Sequence, residues 1–170
     1  MKQINLDGYF KLLVAGPREG ISFEVVKDKL DMLLESGELG DKEKLAIIEG
    51  GASGVDRHAR NWAIENGIPY NTYEAAWEDL TAVPCVIRVN RRGVKYNVLA
   101  GHNRNAVMGD VCDKGVIVWD GVSGGTKNML KLIDVKEGSE KPNKLLRLFV
   151  VDENGKEVLS KLYNPSEETK

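Results

Sequence analysis

Gly50-Gly51-Ala52-Ser53-Gly54-Val55-Asp56-Arg57 follows directly on the apolar stretch Leu45-Ala46-Ile47-Ile48. The chemistry of such a run is anion binding. A strand ends, and glycines let the main chain turn tightly and approach a ligand with no Cβ in the way. A helix starting near Gly54 aims unpaired N–H groups and the positive end of its dipole at the same point. Three other segments carry related chemistry. Gly16-Pro17-Arg18-Glu19-Gly20 sets a guanidinium, able to fork onto a phosphate, beside main-chain donors. Ala100-Gly101-His102-Asn103-Arg104-Asn105-Ala106-Val107-Met108 and Asp120-Gly121-Val122-Ser123-Gly124-Gly125-Thr126 flank the apolar run from Gly115 to Trp119. No Gly-Lys-Ser or Gly-Lys-Thr follows the glycines, and no Gly-x-Gly-x-x-Gly follows the first strand. ATP hydrolysis and ordinary dinucleotide redox chemistry thus lose their usual support, whereas binding of a nucleotide-like anion survives. Each glycine run taken alone is equally a tight strand-to-helix connection.

The elements that must hold these loops alternate along the chain. Phe10 to Ala15 reads as a buried strand stopped by Gly16-Pro17. Ser22 caps a helix whose apolar positions Phe23, Val26, Leu30, Leu33 and Leu34 fall at helical spacing. Leu45 to Glu49 is a second strand, and Val55 to Asn66 a helix closed by Gly67 in a left-handed cap. A short third strand from Ile68 to Tyr73, a strand from Gly115 to Trp119, a helix from Thr126 to Glu137 and a strand from Lys144 to Val151 follow. In this scheme His102 lies in a loop and His58 in a helix, both in ordinary structural roles, and Trp62, Trp77 and Trp119 pack in the core. Stacking on a base is a second option for Trp119.

Alternation of this kind predicts an α/β, Rossmann-like three-layer sandwich with a mostly parallel sheet. Asp152-Glu153-Asn154-Gly155-Lys156 is a hairpin turn, so Glu157 to Tyr163 adds a C-terminal antiparallel edge strand. Residues 84–99 break the pattern and read as an inserted β-hairpin. Its Arg88, Arg91, Arg92 and Lys95 either close over an anionic ligand or keep an exposed hairpin soluble. The expected organisation is one domain over residues 1–163 and a fraying tail over 164–170.

Composition narrows the function classes. The chain has 170 residues, enough for one full core, and its 42% hydrophobic and 29% charged residues are those of a globular protein. A formal net charge of -2 gives no reason to expect a nucleic-acid partner. Cys85 and Cys112 have no metal-ligand spacing, and nothing resembles a signal peptide or a membrane span. A cytoplasmic protein with reduced thiols, no metal and no membrane association is expected.

The ordered set of motifs is more specific than any one of them. Gly50-Gly51-Ala52-x-Gly54-Val55-Asp56, Ala75-Ala76-Trp77, Ala100-Gly101 leading to Arg104-Asn105-x-x-Met108, and Gly124-Gly125-Thr126 together resemble the YspA-related branch of the SLOG family, from about Phe10 to Gly138. That superfamily includes the LOG phosphoribohydrolases and a DNA-processing protein. The resemblance implies a Rossmann-like sheet whose loops hold nucleotides or nucleotide-derived molecules, frequent self-association, and relatives that sense nucleotide signals in antiviral systems. Carried over residue by residue, it puts Gly16 and Arg18 near phosphate or ribose, with Pro17 in place of a small residue. It makes Gly51, Ala52, Ser53 and Gly54 the cradle and has Asp56 orient that turn. It sets Arg104 and Asn105 opposite, and completes the pocket with Gly124, Gly125 and Thr126.

One departure bears on catalysis. LOG enzymes place a glutamate shortly after their Gly-x-Gly-Thr loop, whereas Thr126 is followed by Lys127, Asn128 and Met129. Cleavage of an N-glycosidic bond needs negative charge beside the developing cation and a way to activate water. Glu19, Asp56 and Asp120 are the carboxylates available as substitutes. The expectation is a homo-oligomeric protein that binds a nucleotide-derived small molecule without strong turnover and without a cofactor. It would sense or sequester that molecule, phage counter-defence being one such use. A LOG-like hydrolase is the alternative.

Overall fold

The computed structural model describes residues 3–162. Six strands form one sheet: β1 (Phe10–Ala15), β2 (Leu45–Glu49), β3 (Tyr70–Thr72), β6 (Lys114–Trp119), β7 (Leu145–Val151) and β8 (Glu157–Leu162), in the spatial order β3-β2-β1-β6-β7-β8. All neighbours are parallel except β7 and β8. The chain leaves β1 toward β2 on one side and returns as β6 on the other, so strand order reverses between β1 and β6. In open α/β sheets that switch point opens a crevice at the carboxyl ends of the strands.

Side-chain alternation along β1 builds two cores. Leu12 and Val14 face a layer made by α1 (Phe23–Glu35) and α2 (Val55–Glu65), with Val26, Leu30, Leu33, Ala59 and Trp62 buried against them. Leu13 and Ala15 face the opposite layer, where α3 (Ala100–Val111) and α4 (Gly124–Ile133) bring Met108, Met129 and Ile133. Ser22 Oγ accepts from the N–H of Val25 at 3.3 Å and starts α1 as its sequence position suggested. Ser22→Ala is expected to lower the unfolding free energy by about 1 kcal/mol, measured by urea denaturation. Gly67, with φ of +67°, sits just past α2 in the left-handed conformation expected of it.

Three expectations need revision. Ala100–Val111 is a helix, not a loop, so His102 is helical. Its periodicity is hidden because Gly101, Asn103, Asn105 and Gly109 are weak helix formers and its apolar residues form no continuous stripe. Packing against β1 and α4 holds it instead. The fourth helix begins at Gly124 and stops at Ile133, short of Glu137. There Lys144 N–H takes the Ile133 carbonyl at 2.9 Å, and Asn143 Nδ2 bonds Asp134 Oδ1 and the Val135 carbonyl at 3.1 and 3.0 Å, turning the chain into β7. Trp77 is not in the core, being 38% exposed.

The inserted hairpin is present as β4 (Ile87–Val89) and β5 (Lys95–Asn97), an antiparallel pair separate from the main sheet. Asn97 anchors it: the buried side chain accepts from Val86 and Leu99 N–H at 3.1 and 3.0 Å, and its own N–H donates to the Trp77 carbonyl at 2.8 Å. Cys85 and Cys112 are free, and burial pushes the Cys112 thiol up to about 11. Among the described residues no helix is long and apolar enough to cross a membrane, and no group of His, Cys, Asp or Glu is placed to hold a metal. Tyr163 and the tail expected over 164–170 lie outside the described residues.

Candidate functional site

A cavity of about 560 Å³ opens at the carboxyl ends of β1 and β6. Its walls come from the loop after β1 (Gly16, Pro17, Arg18, Glu19), the glycine-rich loop and α2 (Ala52, Asp56), one side of α3 (Gly101, His102, Arg104, Asn105, Met108) and the start of α4 (Gly125, Thr126), with Trp77, Val98, Asp120, Ser123 and others. A second cavity of about 360 Å³ shares Arg18, Ala52, Trp77 and Arg104 with it, and adds Gly50, Gly51, Ser53, Glu74 and Ala75.

Arg104 is fixed from several sides. Nη1 donates to the Gly50 carbonyl and, at 3.3 Å, to the Tyr73 carbonyl, while Nε donates to Asn105 Oδ1 at 3.1 Å. The buried Asn105 in turn donates from Nδ2 to Asn128 Oδ1 at 3.0 Å and to the Gly125 carbonyl at 3.4 Å, tying α3 to the start of α4. Asn128, two positions beyond Thr126, is therefore a partner for Asn105. No side chain caps α4, which leaves the N–H groups of its first turn without a capping acceptor. The N–H groups before it are used: Asp120 Oδ1 accepts from Val122 and Ser123 at 3.0 and 2.8 Å.

Beneath the glycine-rich loop lies a buried charge cluster. Glu49, fully buried at the end of β2, accepts from Gly51 N–H at 2.6 Å, from Arg60 Nε at 3.2 Å and from Thr72 Oγ1. Asp56, 7% exposed, accepts from Ala52 N–H at 3.3 Å through Oδ2. The amides of Gly51 and Ala52 thus serve the chain's own carboxylates, and the cationic groups on the cavity walls are the side chains of Arg18 and Arg104. Burial, and then the charge of Glu49, raise the Asp56 carboxyl from the ordinary 3.8 to about 7, against the pull of the Ala52 and Gly50 amides and of Arg104.

This raised value has a sign for stability. Between pH 4 and 7 the folded state holds a proton on Asp56 that the unfolded chain has lost, so its contribution is complete below 3.8 and disappears as pH rises through 7. The span corresponds to about 4 kcal/mol. Asp56→Asn is expected to flatten that part of the stability profile and to be more stable than the parent above pH 7, measured by urea denaturation across pH. An unchanged slope would place the proton elsewhere.

Residues 10–79 match the model of the YspA, cpYpsA-related SLOG family. Over that stretch the chain is similar to the SLOG family. No curated protein matches it. Among solved structures, the crystal structure of DNA processing protein A (DprA) from Streptococcus pneumoniae is similar at a TM-score of 0.45 and 18% identity, over 88% of this chain. The chain spans 61% of that protein's length. The family match takes in β1, β2, α2 and Trp77 and stops before Arg104, so the α3 and α4 walls rest on geometry alone.

Of the residues singled out by motif, the fold brings Gly16, Pro17, Arg18, Ala52, Asp56, Arg104, Asn105, Gly125 and Thr126 to the larger cavity and Gly51 and Ser53 to the smaller one. Gly54 and Gly124 line neither. Gly54 serves packing: at φ of +82° it passes under the loop after β1, where an added Cβ would stand 2.4 Å from the Pro17 carbonyl oxygen. Three residues escaped the sequence reading. Trp77, part of the Ala75-Ala76-Trp77 motif but assigned to the core, lines both cavities. His102, assigned to a loop, lines the larger one from α3. Glu49 had a signal, a carboxylate inside a fully buried strand directly before Gly50. Trp119 packs partly buried against the second core and donates from Nε1 to the Ser123 carbonyl at 3.0 Å.

Proposed function

We propose that this cavity binds a nucleotide or nucleotide-derived small molecule and retains it intact, so that the protein acts as a sensor or a sequestering agent. The match to the SLOG family model supports a nucleotide-related, Rossmann-like protein. The observation that carries the reading is Arg104, held by two backbone carbonyls and lining both cavities, the larger of which is also lined by Gly125 and Thr126 at the uncapped start of α4. A fixed guanidinium and a helix N-terminus on the walls of one cavity suit an anion. Retention is favoured because Lys127, Asn128 and Met129, which follow the Gly-Gly-Thr loop, include no carboxylate, and Asn128 is bonded to Asn105.

One observation favours turnover. Asp56 lines the cavity with a carboxyl that titrates at about 7, the range in which a general acid works. Incubation with a panel of nucleotides, cyclic ADP-ribose isomers and cyclic dinucleotides separates the readings. Intact ligand recovered from heat-denatured protein supports retention. Free base released beyond one equivalent supports the hydrolase and overturns it. The reading extends to a homo-oligomer in the cytoplasm, for which sedimentation at graded protein concentration is the check. A phage protein that captures a nucleotide signal of its host would need no more than tight binding of this kind.

A further inference from the structure

Glu49, Asp56, Arg60 and Arg104 gather beneath the glycine-rich loop, and they are unequally served. Glu49 is tied to Arg60 Nε at 3.2 Å, to Gly51 N–H at 2.6 Å and to Thr72 Oγ1. Arg104 spends Nη1 on the Gly50 and Tyr73 carbonyls and Nε on Asn105. Asp56 accepts from Ala52 N–H at 3.3 Å and forms no ion pair within 4 Å among the described residues. We propose that an anionic ligand enters the larger cavity together with a proton held by Asp56, so that acidification tightens its retention and alkaline conditions release it. This rests on the nucleotide reading above and specifies how that site is regulated.

The charges of the cluster require the coupling. With all four side chains ionised, the two carboxylates balance the two guanidinium groups, and the cluster has no net charge to offer a phosphate. A proton on Asp56 leaves it cationic. The converse holds as well. Arg104 favours the ionised form of Asp56, and a phosphate beside Arg104 offsets that pull. Proton and anion thus favour one another, and by linkage the tighter-binding state is the one that holds the extra proton. Burial and the charge of Glu49 already raise Asp56 to about 7, so the exchange falls at neutrality.

The other titratable groups around Asp56 are placed differently. Glu49 faces it from the end of β2 with Arg60 as its partner, Arg60 stands on the same helix as Asp56, and Arg104 faces it from α3. Arg18, Glu19, His102 and Asp120 line the same cavity and Glu74 the smaller one, and all are exposed, so water and salt screen them from an arriving charge. Asp56 is 7% exposed, and at that depth charges act through a medium of lower dielectric. Among the carboxylates that line the larger cavity it is the buried one.

Calorimetric titration of the full chain with cyclic AMP, ADP-ribose and cyclic di-AMP, whose phosphates keep a constant charge across the range, tests the proposal. Performed at pH 7 in two buffers that differ in ionisation enthalpy, it is expected to show uptake of about half a proton per ligand bound. Affinity is expected to be about fivefold weaker at pH 8 than at pH 6. Asp56→Asn is expected to abolish the uptake and flatten the pH dependence. His102→Gln, which removes the histidine on the same wall, is expected to retain both. Binding without proton uptake, or uptake that persists in Asp56→Asn or vanishes in His102→Gln, overturns the proposal and leaves the nucleotide reading standing. Absence of binding by every probe at every pH overturns both.

Discussion

Arg104→Ala is expected to weaken binding of a phosphate-bearing nucleotide on the order of a hundredfold and to lower the unfolding free energy by about 2 to 4 kcal/mol. Both effects come from one position. The substitution leaves the carbonyl groups of Gly50 and Tyr73, one residue past the ends of β2 and β3, without their cationic donor, and it takes from Asp56 the positive charge that favours its ionised form. In a chain of 170 residues the stability loss corresponds to a drop in Tm of about 10 °C. Arg104→Lys is expected to recover little of either, because an ammonium cannot reach two carbonyls and a ligand from one rigid plane. Calorimetric titration well below the variant's Tm separates lost affinity from lost fold. Unchanged affinity in a folded variant would move the anion site away from α3.

Gly54→Ala is expected to cost more than about 3 kcal/mol and to leave little folded protein at growth temperature. Gly54 has φ of +82° and ψ of -132°, a conformation that L side chains rarely adopt. The added Cβ would meet two backbone oxygens, those of Pro17 and Arg18, at 2.4 and 2.5 Å. Backbone cannot swing aside as a long side chain can, and the same contact region carries the Val55 N–H to Pro17 carbonyl bond at 3.2 Å. Gly124→Ala is the matched comparison. Its Cβ would meet nothing within 4 Å, so the variant is expected to stay within about 0.5 kcal/mol of the parent, or above it as alanine favours the first turn of α4. Thermal and urea unfolding of the pair distinguishes a glycine that the packing requires from one that it does not. Equal losses would mean that the positive φ at Gly54 is not what the glycine supplies.

Much of the frame was legible along the chain. Phe10–Ala15 and Leu45–Glu49 are strands as read, since continuous apolar runs bounded by Gly-Pro and Gly-Gly leave little choice. Ser22 and Gly67 mark helix ends through local chemistry alone. The inserted hairpin was visible because alternation resumes on both sides of Arg91-Arg92-Gly93. Helix α3 was not, because a helix carrying two glycines and two asparagines in its first ten positions shows no periodic apolar face. Its helical state comes from contacts with α4 and β1, more than a turn of sequence away in every case. The candidate site divides in the same way. Arg18, Asp56, Arg104 and Asn105 stood out by type and motif, whereas Trp77 became a wall of both cavities only when the hairpin and α3 were folded around it.

What the sequence by itself determined is the alternation of strand and helix, the positions of the turns, and the set of loops that must gather at the carboxyl edge of a parallel sheet. These follow from local chemistry and from the side-chain period of each element. Only the tertiary structure decided what the glycine-rich loop does. Its Gly51 and Ala52 amides point at Glu49 and Asp56, residues of its own fold, and its Gly54 exists for the close passage of the loop after β1. The direction of an N–H group depends on which acceptor folds within 3 Å of it, and in this chain buried carboxylates claimed those amides while Arg18 and Arg104 were left to face the cavity.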